Sequence, residues 1–456
     1  MKFSSSLFCL LIALLSSAAR AGEPTPVPTF EWVVSAGGKL HDKTRGIAVD
    51  PHGNILLTGE FTGEATFGKH TLTAKGQMDF FVAKVSPKGE FLWVRSGGGS
   101  KIDRGYAVAT DNQGFVSVTG HFQSEDATFG TFKPTLAGDY DIFIARYDNQ
   151  GNLLWLKTAG GTGYDYGHGI AVDMAGDIVV TGAQAGMGTI DGQRFGETGS
   201  ARVFCLKLNS VGKILWNQVA SGAGSSSGHG IAVDDARNIY VGGSSNGVGR
   251  IASKDYGRNT GHDILVIKFT HDGNAEWIHD GHGSTNAMIH EITADNKGNV
   301  WASGMFKANL KLQDRTVISQ GDQDLLLTSF NTTGKRLWTW SAGGPKIDYG
   351  LGIAHDGRGN AFLTGSFTGQ VEFGAIARNA SASSDIFVVS FDRNGSPGWF
   401  AQVEGKGTDH AYAIVSDKNG GLYLSGACSG NANFGAHTLV NRGSNDLFLA
   451  KLKYNR

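Results

Sequence analysis

The chain contains 456 residues, of which 68 are glycine and only 8 are proline. Glycine is therefore used about twice as often as in an average protein, and the charged fraction of 18% lies below the usual quarter. With 40 basic and 41 acidic side chains, the net charge of −1 gives no overall field to attract phosphate backbones or anionic lipid. This composition favours short strands joined by tight turns, excludes collagen and disordered chains, and argues against nucleic acid as a partner.

The first 21 residues are predicted to be an export signal. Lys2 supplies a short positive region, residues 7–15 are an apolar run too short to span a bilayer, and residues 19–21 are a small-x-small cleavage site. We expect cleavage near Ala21 and a proline-rich tether over residues 22–30. The mature chain is expected to have no transmembrane segment and to lie outside the cytoplasm, in the periplasm, secreted or at the cell surface.

A repeat runs through the rest of the chain, with successive copies 61 or 62 residues apart. Seven of the 9 tryptophans mark it, namely Trp32, Trp93, Trp155, Trp216, Trp277, Trp338 and Trp399. An aspartate closes a short apolar run in every unit: Asp50, Asp111, Asp173, Asp234, Asp295, Asp356 and Asp417. A third position holds Asp79, Asp141, Asp263, Asp324, Asp385 and Asp446, with Arg202 as the exception. Three aligned positions indicate seven copies of one structural unit.

Each unit is predicted to form four antiparallel strands. In the first unit, strand A covers residues 46–49, strand B residues 54–58, strand C residues 80–85 and strand D residues 91–95. The A–B and C–D turns are short, whereas the B–C connection is a long loop. Four strands repeated seven times predict an all-β fold, a seven-bladed β-propeller of four-stranded blades over residues 31–456, with the tryptophans packed between blades.

The two ends of the repeat complement each other. The last unit stops just after its strand C, while residues 31–35 precede any strand A, so the N-terminal strand is expected to complete the last blade and close the ring. Cys205 and Cys428 then lie three or four blades apart. A disulfide joins Cα atoms within roughly 4.4–6.8 Å, so both thiols are expected to stay reduced.

The repeat resembles the SBBP-type β-propeller repeat of exported and cell-surface proteins. The matching segments are Ala36-Gly37-Gly38, Gly46-Ile47-Ala48-Val49-Asp50, Gly53-Asn54, Thr58-Gly59, Phe67-Gly68, Asp79-Phe80-Phe81-Val82-Ala83-Lys84 and Leu92-Trp93. The resemblance implies a propeller fold and carries no family-wide catalytic or ligand-binding residues. The segment Gly46-Ile47-Ala48-Val49-Asp50 is also similar to the inner strand of NHL repeats, but those are shorter, near the forty to forty-five residues common for one blade.

The long D–A and B–C loops meet at one face, which is the candidate binding surface. Each D–A loop ends eight residues before the strand-A aspartate, at Asp42, Asp103, Asp165, Ser226, Ala287, Asp348 and Asp409. Five aspartates around a channel mouth are a candidate cation site. The alternative is that each carboxylate accepts backbone N–H groups within its own glycine-rich loop.

Three residues further on, the residue type varies around the predicted ring: Arg45, Tyr106, His168, His229, His290, Leu351 and Tyr412. Variation on a fixed scaffold marks candidate specificity, which makes Arg45, Tyr106 and Tyr412 candidate ligand-binding residues. The histidines of units three to five are candidate ligands for a divalent metal, zinc or calcium, if they converge in the channel. Packing between blades is the alternative for them.

Glu291 adds a second departure from the repeat beside His290. It stands where the other six units have glycine or alanine, and it is a candidate ligand-binding residue, support for a histidine, or general base. Ser226 and Ala287 interrupt the D–A aspartates in the same part of the chain. The sequence therefore predicts that a functional centre, if present, lies on units three to five.

These observations favour an exported binding or scaffold module, a monomer that recognises a protein or glycan through its long-loop face. A metal-dependent lyase or hydrolase with a histidine site at the channel mouth is the alternative, and a passive surface-layer component is the third. The sequence contains no nucleophile elbow, phosphate-binding loop or His-Glu-x-x-His segment. An enzyme is thus the less expected class.

Overall fold

A computed structural model describes residues 28–258 and 261–454, and this part of the chain folds into antiparallel sheets without a helix. The predicted export signal and most of the predicted tether lie outside the described residues. Among the residues described, none belongs to a helix that could cross a membrane.

Every unit forms four strands that pair in the order A, B, C, D. Strand A spans Lys43–Val49, Asp103–Thr110, Tyr166–Val172, Ser225–Val233, Tyr349–His355 and Asp409–Ser416 in units one to four, six and seven. Strand B spans Ile55–Phe61, Val116–Phe122, Ile178–Gln184, Ile239–Asn246, Val300–Lys311, Ala361–Phe367 and Gly421–Cys428. Strand C spans Asp79–Val85, Asp141–Tyr147, Arg202–Leu208, His262–Phe269, Asp324–Phe330, Asp385–Phe391 and Asp446–Lys453. Strand D spans Phe91–Gly98, Leu153–Gly161, Ile214–Val219, Arg336–Ala342 and Pro397–Gly405 in units one to three, five and six.

One strand, Ala275–Ala294, is shared by two units. Its first part pairs with strand C of unit four, from Ile264↔Gly281 to Phe269↔Ala275. Its second part pairs with strand B of unit five, as in Ile292↔Ala302. It therefore supplies strand D of unit four and strand A of unit five.

The N-terminal strand, Thr29–Gly38, pairs with the last strand of the chain. The antiparallel register runs from Thr29↔Lys453 to Ala36↔Leu447. The last two residues of the predicted tether, Thr29 and Phe30, belong to this strand. A second link joins units one and seven, because the hydroxyl of Thr44 donates to the carbonyl of Gly426 at 3.0 Å. Both described ends of the chain thus belong to one sheet.

The B–C connections were expected to be loops, and they contain short extra strands that pair with strand D of the preceding unit. In unit one, Glu64–Phe67 pairs with the N-terminal strand and with His70–Thr73. The corresponding strands are Thr128–Phe129, Gly188–Ile190 with Gln193–Phe195, Gly249–Ile251 with Lys254–Tyr256, Thr316–Ile318 with the end of Val300–Lys311, Gln370–Phe373 with Ile376–Asn379, and Ala432–Phe434 with His437–Leu439. Ser221–Gly222 extends strand D of unit three toward its partner. These strands lengthen the repeat and cover the edge of strand D.

The register tryptophans lie between units, as predicted. Five indole N–H groups donate, at 2.9–3.2 Å, to a carbonyl in the C–D turn of the next unit: Trp93 to Asn149, Trp155 to Ser210, Trp216 to His271, Trp277 to Thr332 and Trp338 to Arg393. Each indole also lies against the glycine of that turn. The tryptophan therefore connects neighbouring units through both a hydrogen bond and ring packing.

Replacing one of these turn glycines tests the contact. Gly395 has φ +82°, and an added Cβ would lie 2.5 Å from the Trp338 ring. Gly176 has the same φ of +82° but nothing within 4 Å of an added Cβ. Gly395→Ala is expected to lower the free energy of unfolding more than the matched Gly176→Ala, by about 1–3 kcal/mol, because the ring is overpacked. Equal losses in urea unfolding would refute this role of the tryptophan.

Cys205 and Cys428, the two cysteines among the described residues, are buried and free, as the sequence predicted. Burial raises the pKa of the Cys428 thiol well above its ordinary value, which leaves it protonated and unreactive at neutral pH. The core strands B and C carry the packing instead. Ile55–Phe61 and Asp79–Val85 are buried along their whole length.

Candidate functional site

Strand A of every unit contains a β-bulge at the same position. The A–B register skips the residue that varies around the repeat, which is Arg45, Tyr106, His168, His229, His290, Leu351 or Tyr412. A bulge leaves its residue outside the ladder and re-aims the side chain. All seven bulged residues, here called the bulge ring, are half-buried. The variable position is therefore free to differ because the sheet does not use it for pairing.

Most of the bulge ring forms a continuous series of contacts. The guanidinium of Arg45 lies 4.9 Å from the ring centroid of Tyr106, which is 4.5 Å from that of His168. The centroid of His229 is 5.0 Å from His168 and 6.1 Å from His290. Below these side chains lies a central cavity of about 240 Å³, lined by strand-A residues of all seven units. The structure thus brings the predicted residues together around one axis.

The three histidines contact one another in sequence, His168 with His229 and His229 with His290. Within residues 28–258 and 261–454, no three His, Cys, Asp or Glu side chains are arranged to hold a metal ion. Burial lowers the pKa of His229 to about 4 and that of His290 to about 3, so both imidazoles are neutral. The structure gives the predicted zinc or calcium site no support, because each imidazole packs on the next ring.

Glu291 lines the central cavity but is held by its own strand. Its Oε1 accepts the backbone N–H of Ile292 at 3.0 Å. Gly230 of unit four makes room for it, since a Cβ there would lie 2.8 Å from this oxygen. Burial raises the pKa of Glu291 to about 7. It is consequently a cavity carboxyl that changes charge near neutrality.

The D–A aspartates act as loop caps, which was the alternative to a cation site. Asp42 accepts the backbone N–H of Gly38 at 2.8 Å and that of Thr62 at 3.1 Å. Asp165 and Asp348 accept the equivalent pairs of N–H groups. Each carboxylate thereby joins its D–A loop to the end of strand B in its own unit.

These caps also form aspartate pairs with the carboxylates that begin strand C of the preceding unit. Both members face one glycine: a Cβ on Gly98 would lie 2.7 Å from Oδ2 of Asp103 and 2.8 Å from Oδ1 of Asp79. The five aspartate pairs are Asp42 with Asp446, Asp103 with Asp79, Asp165 with Asp141, Asp348 with Asp324, and Asp409 with Asp385. Burial raises the pKa of Asp79 to about 6, and the neighbouring carboxylate of Asp103 contributes to this rise. One proton per pair would relieve this repulsion.

The departures from the aspartate pairs in unit four have a structural explanation. Where the pair would lie, Arg202 donates to the carbonyl of Gly222, and the hydroxyl of Ser226 accepts the backbone N–H of Val203 at 3.0 Å. Both members of the pair have changed together. Ser226 is also 2.8 Å from the hydroxyl of Tyr256. Ser226 therefore has a structural role in place of the aspartate.

A group of aromatic side chains lies at the mouth, the end of the central cavity where D–A loops enter strand A. The sequence predicted one member, Tyr106, and missed the others. His121 lies 4.7 Å from Tyr140, 5.1 Å from Tyr166 and 5.4 Å from Tyr106, between ring centroids. Tyr164 lies 5.2 Å from Tyr140 and is 52% exposed. These five residues are here called the tyrosine cluster. Tyr166 shares its register with Lys43 and Arg104, a second variable position that would have signalled the site.

Three cations at the mouth are here called the cationic arc: Lys43, Arg45 and Arg104. Arg45 and Arg104 lie beside the tyrosine cluster, whereas the Lys43 ammonium lies 5.6 Å from the ring centroid of Tyr412 on unit seven. Arg45 binds Glu60 through two hydrogen bonds of 2.6 and 2.7 Å, and the Glu60 side chain is 1% exposed. Burial is the largest cause that lowers the pKa of Lys43, and the positive charges of Arg45 and Arg104 lower it further. The mouth thus combines aromatic rings with an excess of positive charge.

Comparison with known proteins agrees with the repeated sheets. The model of a β-propeller repeat, SBBP, matches residues 218–250. An uncharacterized WD repeat-containing protein of Acanthamoeba polyphaga mimivirus is 22% identical over 87% of this chain and 36% of its own length. The chain therefore spans about a third of that curated relative.

Two solved structures show a distant likeness. A gluconolactonase from Xanthomonas campestris has a TM-score of 0.33 and 12% identity, covering 75% of this chain and 95% of its own. A puromycin hydrolase mutant has a TM-score of 0.40 and 11% identity, covering 88% and 54%. At these TM-scores the likenesses carry no argument about activity. The repeat match over residues 218–250, together with the recurring four-stranded sheets, shows that the chain contains a β-propeller repeat of the SBBP type.

Proposed function

We propose that this protein is an exported, monomeric, closed ring of seven four-stranded blades that binds a glycan at its mouth. The pairing of the N-terminal strand with Asp446–Lys453 supports closure, as does the hydrogen bond from Thr44 to Gly426. A central cavity lined by strand A of every unit supports the number of blades. The predicted signal in residues 1–21 supports export.

The tyrosine cluster is the feature of the structure that best supports glycan binding. Aromatic rings with one polar end suit ligands that present both apolar faces and hydroxyl groups, as sugars do. Tyr164 exposes half of its surface, and Tyr140 and Tyr166 behind it are half-buried. Neighbouring contacts hold the rings, so little side-chain freedom is lost when a ligand binds. A pre-formed aromatic platform at the end of a cavity favours recognition of a sugar ring.

Binding is favoured over catalysis because the nucleophile candidates are inaccessible. The hydroxyl of Ser366 lies 2.6 Å from Nδ1 of His410, a pair that resembles a nucleophile with its base. Ser366 is only 1% exposed, and burial lowers the pKa of His410 to about 4. A buried hydroxyl beside a weakly basic imidazole does not reach a substrate. Both described cysteines are buried as well.

A panel of neutral and acidic oligosaccharides tests the proposal. We expect wild-type protein to bind at least one member, and Tyr166→Ala to weaken that binding by about tenfold, because a stacked aromatic contributes about 0.5–1.5 kcal/mol. Tyr349→Ala is the matched control, since Tyr349 holds the same register on unit six. Absence of any glycan binding, or equal losses in both variants, would contradict the proposed site.

A further inference from the structure

The mouth holds three cations, Lys43, Arg45 and Arg104, near one carboxylate, Glu60, which binds Arg45 and also attracts Lys43. Lys43 and Arg104 occupy equivalent positions at the start of strand A in units one and two, and both are half-buried. Neither takes part in an ion pair within the described ranges, whereas Arg45 occupies both oxygens of Glu60. Arg104 makes its contact with a neutral atom, Sδ of Met78, at 3.3 Å. Like charges held together without a counterion destabilise one another, and a bound anion would relieve them.

The neighbouring hydroxyls are also donors. Burial raises the pKa of Tyr166 to about 12, and the nearby hydroxyls of Tyr106, Tyr140 and Tyr164 add to the rise, while Arg104 opposes it. Tyr166 therefore keeps its proton at neutral pH, as does an ordinary phenol. A guanidinium, an ammonium and several phenol groups offer N–H and O–H donors in one place. Such a set matches an acceptor with several oxygens.

His121 does not supply the positive charge of the mouth. It is 1% exposed, and burial together with Arg104 and Arg45 lowers its pKa well below the ordinary value. Its two ring nitrogens have no hydrogen-bond partner within the described part of the chain, and its ring meets Tyr140 and Tyr166 edge-on. His121 is thus a neutral spacer that sets the tyrosines, and the charge comes from Lys43 and Arg104.

We propose that the mouth recognises an acidic glycan, whose carboxylate or sulfate group binds Lys43 and Arg104 while an adjoining sugar ring lies on Tyr164 and Tyr140. This inference rests on the proposed glycan-binding function and adds its charge specificity. The planar guanidinium of Arg104 accommodates two oxygens of either group, and Lys43 supplies a compact positive charge.

Three matched probes test the charge specificity: a uronic-acid oligosaccharide, its carboxyl-reduced neutral counterpart, and a sulfated oligosaccharide of the same length. Isothermal titration is expected to give at least tenfold tighter binding of an acidic probe than of the neutral one. The preference should weaken as salt is raised, because a partly exposed ion pair is screened. Preference for the uronate or for the sulfated probe identifies which anionic group the mouth accepts.

Variants test whether the positive charge of Lys43 and Arg104, and not the fold alone, determines the preference for an acidic probe. Lys43→Met with Arg104→Met is expected to reduce acidic-probe affinity by about tenfold to a hundredfold and neutral-probe affinity by much less. Arg104→Lys, which keeps the charge and loses the planar pair of donors, covers the case in which the double variant fails to fold, and is expected to lose part of the preference. Lys101→Met is the control, since Lys101 lies on the same face with its side chain 46% exposed.

The outcomes distinguish the two proposals. Equal affinity for acidic and neutral probes, or equal loss of both in the double variant, would overturn the charge specificity and leave glycan binding standing. Failure of every probe to bind would overturn both.

Discussion

Deletion of residues 31–35 is expected to destabilise the whole protein and not one edge of it. These residues hold most of the register with the last strand, including Val33↔Ala450 and Ser35↔Phe448. Val33 packs against the core around unit seven and Val34 against that of unit one, so both cores lose contacts. The expected loss is several kcal/mol, a large part of the roughly 5–15 kcal/mol that stabilises a typical protein.

Urea unfolding followed by circular dichroism measures this loss. Deletion of residues 22–26, which precede the strand, is the control and is expected to leave the midpoint unchanged. A midpoint unaltered by removal of residues 31–35 would show that the N-terminal strand does not close the ring.

Asp141→Asn is expected to stabilise the protein at alkaline pH. Burial and Asp165 are the causes that raise the pKa of Asp141 from 3.8 to about 6, so the folded state binds this proton more tightly than the unfolded chain does. The resulting stability is fully present below about pH 4 and is lost as the pH rises through 6. Asparagine mimics the protonated form at every pH. Its amide can also donate to Asp165, where Oδ1 of Asp141 has no partner within the described part of the chain.

The gain should be at most about 3 kcal/mol at pH 8 and should vanish near pH 4, because the pKa is raised by about two units and each unit corresponds to about 1.4 kcal/mol. Asp148→Asn is the matched control in the same unit. Asp148 accepts N–H groups of Gln150 and Asn152 in an exposed turn, and these bonds lower its pKa. Its replacement is expected to destabilise at pH 8. Thermal unfolding at about pH 4 and at pH 8 measures the stability of both variants. A lower stability of Asp141→Asn at pH 8 would contradict the aspartate pairs.

The packing of the tryptophans was predictable from the sequence because each unit contacts the next one through the same pair of elements. Trp93 and its equivalents recur since every C–D turn meets the preceding unit in the same way. The pairing of Glu64–Phe67 with the N-terminal strand was not predictable in this way. It joins four residues to a strand of another unit, and neither segment shows a distinctive hydrophobic pattern by itself.

The bulge ring was located by its variation, but its chemistry was not. A metal site required His168, His229 and His290 to converge, and the bulges instead place each imidazole against the next ring. The tyrosine cluster escaped notice because its members come from different registers. Tyr140 precedes strand C of unit two, and Tyr164 belongs to the D–A loop of unit three. Only the fold places them side by side, on units two and three. The functional centre expected on units three to five stays a prediction.

Hydrogen–deuterium exchange with the strongest-binding oligosaccharide shows whether the ligand binds at the mouth. We expect slower exchange in residues 137–140 and 162–166 and at the start of strand A of units one and two, with the outer hairpins and A–B turns unchanged. Protection confined to the outer B–C strands, or to units five and six, would contradict binding at the mouth.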